Sequence, residues 1–112
     1  MRLFRHVAAI CLVLLFSQTS YAAYACSGQV RTFGMNTDGS VYVDNGYGIW
    51  VVCNLHAQTN IPPTVCKGWY SMMVAAQARN AIVDLYFDDG KSCTQQSSWV
   101  VLAPYFIAVR NQ

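Results

Sequence analysis

The sequence predicts a small, mostly β domain with one helix, its strands and helix ordered β-β-β-α-β-β and closing as a five-stranded Greek-key barrel. Three observations carry that reading. Short β-rich runs alternate with tight-turn signals, one stretch rich in Ala, Met and Gln interrupts them, and four cysteines fall at the joints between elements.

The chain of 112 residues opens MRLFRHVAAICLVLLFSQTSYAAYAC. Arg2 and Arg5 make a positive start, Val7 to Phe16 is uninterrupted apolar sequence, and Ser17 to Ala25 turns small and polar. That is the layout of a secretory signal peptide, with an apolar core too short to span a bilayer. Ser20 and Ala22 fit a small-x-small cleavage site, so residues 1–22 are expected to leave and 23–112 to fold; cuts after Ala23 or Ala25 are the alternatives. A lipid anchor on Cys26 is a further alternative, disfavoured by the bulk of Tyr24. Export places the domain in the periplasm or outside the cell.

Gly28 to Asn36 is the first β-rich run and ends in the turn TDGS; Val41 to Asp44 alternates as a half-buried strand does. Asn45-Gly46 reverses the chain, because both residues accept positive φ, and Ile49 to Leu55 is the third strand. Lys67 to Arg79 reads as the helix. Trp69, Met72, Met73 and Ala76 form its core stripe, and Asn80 is its stop. Ala81 to Asp88 returns to β composition, Asp89-Gly90 turns, and Ser98 to Arg110 is the last strand, with Pro104 marking a bulge or an edge. Three strands, a helix and two strands in about 85 residues is the order of the OB-fold. A flat sheet covered by the helix is the alternative.

Removal of the signal takes Cys11 and leaves Cys26, Cys53, Cys66 and Cys93, which in an exported chain read as two disulfides with three formal connectivities. Cys53 and Cys66 bracket a loop containing Pro62 and Pro63. Zinc would want more ligands at shorter spacing, and a Cys–His nucleophile would need a free thiolate in an oxidising compartment. A staple, Cys53–Cys66, needs no further parts. Cys26–Cys93 follows, because the first and fourth strands of such a barrel are antiparallel neighbours.

The remaining charges cancel: Arg31, Lys67, Arg79, Lys91 and Arg110 stand against Asp38, Asp44, Asp84, Asp88 and Asp89. Without a basic run there is no electrostatic footprint for nucleic acid. NTDGS and DDGKS resemble pieces of calcium loops but lack the later ligands, so no metal or cofactor is expected. Glutamate is absent, and His56, the only histidine after cleavage, reads as a solvated loop residue. General acid–base catalysis therefore has few candidates, and no catalytic residue is assigned; the expectation is a non-enzyme.

The signal, the strand order, a cysteine ending the third strand and another before the helix together resemble the OB-fold B subunits of A–B toxins. The likeness is to the subtilase-cytotoxin and typhoid-toxin type. The hairpin around Asp38 to Val43 and the helix Tyr70 to Ala78 also resemble small exported bacterial proteins. The resemblance implies a non-catalytic subunit that forms a ring pentamer, binds cell-surface glycans and partners a catalytic A subunit. No sugar-contacting residues transfer by motif. From the residues themselves, Tyr42, Tyr47 and Trp50 are the candidate ligand-binding aromatics. Tyr70, Ser71, Val74, Ala75 and Ala78 are the candidate homo-oligomer face, since a helix nearly apolar all round is normally covered on both sides. The competing reading is a structural or protein-interaction module of the periplasm or cell exterior without a sugar ligand.

Overall fold

The computed structural model describes residues 22–112, so the expected signal peptide lies outside the described residues except for Ala22. Seven strands and one helix follow in the order β1 (Tyr24–Gln29), β2 (Thr32–Met35), β3 (Ser40–Asp44), β4 (Trp50–Asn54), α1 (Pro63–Ala78), β5 (Ile82–Phe87), β6 (Val100–Val101) and β7 (Phe106–Arg110). They form two sheets, β1-β5-β7 and β2-β3-β4-β6. Neighbours are antiparallel except β4 and β6, which are parallel.

The fold is mostly β with one helix, but the five-stranded closed barrel is corrected to two separate sheets. The first long strand starts earlier than expected and breaks at Val30 and Arg31, so β1 pairs with β5 while β2 pairs with β3. The last breaks between Val101 and Phe106, around buried Pro104, which has no amide proton for a ladder. At both breaks the chain crosses from one sheet to the other.

Between the sheets lies one core. Val41 and Val43 of β3, Trp50 and Val52 of β4, Val83, Leu85 and Phe87 of β5, and Ile107 of β7 all point inward. The period-2 alternation of half-buried strands accounts for most of these positions. It misassigned one. Trp50 was expected at the surface, yet it is 0 % exposed and meets Phe87 edge-on at 5.7 Å. The irregular register between Val41 and Tyr42 pairs Tyr42 with Val51 and Val43 with Trp50, so Tyr42 faces outward while the indole turns in.

Helix α1 begins four residues before the expected start, placing Cys66 in its first turn rather than ahead of it. Pro62 and Pro63 explain the start, because proline at the first helical position loses no hydrogen bond the helix would have used. Asn80 ends it as read, with φ of 55°. The Ala81 amide donates to Ala76 O at 2.9 Å and the Asn80 amide to Gln77 O at 3.4 Å, a Schellman closure. Cys66, Met73 and Ala76 are the buried face. Met72, expected in the core, is exposed, whereas Tyr70, expected outside, is half-buried with its ring 4.9 Å from that of Phe33. The core stripe is thus rotated toward Tyr70.

The disulfides are Cys26–Cys93 and Cys53–Cys66, the pairing read from the sequence, each with Cα atoms 5.6 Å apart. In the chain-entropy description such closures stabilise by about 4 and about 3 kcal/mol. Cys26, held in that bond, has no thiol for a lipid anchor. Two disulfides are compatible with an oxidising location outside the cytoplasm, and no helix among the described residues is long and apolar enough to cross a membrane.

Candidate functional site

Gly34, Tyr42, Val51 and Val101 are successive cross-strand partners across the second sheet. Because Val41 and Val43 are buried, this row lies on the outer face. Apart from its chain neighbours, nothing lies within 4 Å of where a Gly34 side chain would begin, so the glycine leaves open space beside Tyr42. Trp99 closes the other side, its ring 5.9 Å from that of Tyr42 and inclined at 60°. The result is a groove of about 320 Å³, with Thr32, Met35 and Asn36 along the β2 side and Ile49 beneath Trp99.

Trp99 is 69 % exposed and holds φ of 66°. That left-handed backbone costs a residue with a side chain about 1–2 kcal/mol, and strained residues cluster at binding sites. Its amide donates to Ile49 O at 2.7 Å, which pins the loop against β4. An indole so exposed gains little from burial, and its contact with the Tyr42 ring is the packing that offsets part of the strain.

Of the three aromatics nominated from sequence, the structure brings Tyr47 and Trp50 together but leaves Tyr42 apart from them. Tyr42 lines the groove, and Trp50 is core. Tyr47 is exposed and stacks on Trp50 at 6.4 Å, lining a second, more polar cleft of about 390 Å³ with Ser27, Gln29, Arg31 and Asn45. Asn45, 2 % exposed, donates to Cys26 O at 2.8 Å and Val83 O at 3.0 Å, tying the end of β3 to the other sheet. Trp99 belonged to the expected last strand and was not nominated. The run Gln95, Gln96, Ser97, Ser98 before it carried the missing signal, since so polar an approach places the next residue near solvent.

His56 is exposed, but its imidazole lies against Gly39 in the β2–β3 turn, and its amide donates to Asn54 Oδ1 at 2.8 Å. Among the described residues no group of three or more His, Cys, Asp or Glu side chains gathers to hold a metal. Burial of Asp84 pushes its carboxyl up, but hydrogen bonds from Arg110 and Ser27 and the Arg110 charge outweigh that and hold it below the ordinary range. The Arg110 Nε lies 2.9 Å from Asp84 Oδ2. At the amino-terminal edge Tyr24 donates to Asp89 Oδ1 at 2.6 Å. Burial first, then that bond, push its phenol up to about 12. Neither group faces the groove.

No family model, curated protein or solved structure matches the chain.

Proposed function

We propose that this chain is an exported, non-catalytic binding subunit that holds a glycan in the Tyr42–Trp99 groove and assembles with copies of itself through helix α1. The exposed, strained Trp99, its ring against that of Tyr42 and beside the open space at Gly34, is the observation that carries the reading. Sugars bind protein by laying C–H surfaces on aromatic rings while nearby amides and hydroxyls take their OH groups, as at other small, mostly apolar sites. Asn36 and Thr32 supply those polar groups here. Asn36 Oδ1 accepts the Thr37 amide at 2.8 Å, which leaves the Nδ2 protons for a ligand.

The kinship with toxin B subunits is part of the same proposal. Followed through the two crossing points, the strands run β2, β3, β4, β6, then β7, β5, β1. This circuit supports an OB-like arrangement opened at its crossings. Secretion, a ring pentamer and a catalytic partner chain belong to that kinship. A structural or interaction module is the second reading, favoured by Tyr105 and Phe106, both exposed beside Tyr86 on the other sheet.

A glycan array probed with the disulfide-bonded protein tests the proposal. Binding to a defined set of glycans, lost at least tenfold in Trp99→Ala, is the expected result. An array with no binding, or binding untouched by Trp99→Ala, removes the glycan function.

A further inference from the structure

We infer that the groove selects a neutral hexose unit, presented by its C–H face, and rejects acidic sugars. The inference rests on the glycan reading above and specifies its ligand. Every residue lining the groove is uncharged. An acidic sugar would bring a carboxylate, and proteins meet that group with an arginine fork, a lysine or a cluster of free backbone N–H groups. Among the described residues no cation lines the groove. Arg31 precedes Thr32 in the chain, but its guanidinium lies against Gly46 and lines the separate Tyr47 cleft. Arg110 is committed to Asp84 on the other sheet.

The carboxylate nearest the groove by strand register is that of Asp44. Asp44 pairs directly with Thr32, and its side chain shares the outer face with Tyr42 by strand alternation. Its Oδ1 accepts the Gly46 amide at 2.7 Å, so the carboxylate stands near Thr32 but outside the groove's lining. An anionic ligand would meet repulsion there, while a neutral one can donate a hydroxyl to the same oxygens. A volume of about 320 Å³ is at the small end of ligand sites, which suits contact with one or two sugar rings and leaves the remaining glycan in solvent. The two rings pack on each other at 5.9 Å with no room between them, so a sugar lies against their outward surface and over the open space at Gly34.

The experiment combines the array with tryptophan-fluorescence titrations of lactose and its sialylated counterpart, repeated at low and high salt. Neutral glycans should account for the binding, and sialylation of the contacted sugar should weaken it about tenfold. Because no charge is neutralised, the neutral ligand's affinity should change by less than about twofold between 50 and 500 mM salt. Gly34→Val, which fills open space on an unstrained strand position, should abolish lactose quenching while the melting temperature stays near wild type. Binding confined to acidic glycans, or strengthened by sialylation, overturns the neutral specificity and leaves the glycan function standing. Neutral binding that survives Gly34→Val overturns the assignment to this groove. A proline-rich peptide that quenches Trp99 when no glycan does overturns both readings.

Discussion

Trp99 concentrates two costs that a packing residue avoids, a left-handed backbone and an apolar ring in water. Glycine carries no penalty at φ of 66°, while alanine keeps it. Trp99→Gly is therefore expected to be more stable than Trp99→Ala by about 1 kcal/mol, read from denaturant midpoints. Both variants should lose the ligand. If alanine matched or exceeded glycine, the backbone at this position would not be strained and Trp99 would carry no mark of a binding residue. Tyr42 differs in kind. It is half-buried in β3 without a left-handed backbone, so Tyr42→Phe should keep the fold and most of the stacking surface.

At the level of elements, the strands of the first sheet are joined across their outer face by Asp84 and Arg110, with Asp84 nearly buried and Arg110 largely in solvent. The Asp84 carboxyl is held below its ordinary value, so its contribution is present at neutral pH and fades as pH falls through the folded value. In Arg110→Ala, burial would act on Asp84 without that partner and raise its pKa. The melting temperature should drop at pH 7, and acid unfolding should begin at a higher pH than in wild type; an unchanged acid limb would show that the pair does not set it. Much at this scale was legible in the sequence. The β3 and β4 strands, the turns at Gly39 and Gly46, the stop at Asn80 and the Cys53–Cys66 staple rest on local chemistry that a linear chain displays, while Cys26–Cys93 followed from the expected strand order. Other features depended on partners remote in sequence. The breaks at Val30 and Pro104 reflect exchange of neighbours between sheets, and the burial of Trp50 reflects an irregular register one strand away. Half the candidate site was hidden for the same reason. Tyr42 is visible from strand alternation, but only the parallel pairing of β6 with β4 brings Trp99 beside it.

For the whole molecule, the open question is what covers helix α1. Its inner face is spent on Cys66, Met73 and Ala76, and Tyr70 leaves the expected outer face to pack on Phe33. Ser71, Val74, Ala75 and Ala78 of that face are exposed, joined by Val65 and Met72. Lys67 is the one charged side chain within the helix, and Arg79 caps its end. A solvated helix face is normally rich in charge. In a domain of about 90 residues, little chain remains to shield this one. The cations and anions that follow the expected cleavage site balance, so net repulsion does not oppose association at neutral pH. Alanine and serine permit close approach of a neighbouring helix, which suits a closed cyclic assembly of identical chains. Light scattering at micromolar concentration should therefore give a mass several times that of one chain. Val74→Glu places a charge at the centre of the face, on a side chain already 44 % exposed. In the isolated subunit it should cost no more than about 0.5 kcal/mol, yet in the assembly it would bury an unpaired carboxylate. The variant should run as a folded monomer with its disulfides intact. A wild-type protein that stays monomeric as concentration rises, or a Val74→Glu assembly of unchanged mass, would remove helix α1 as the interface.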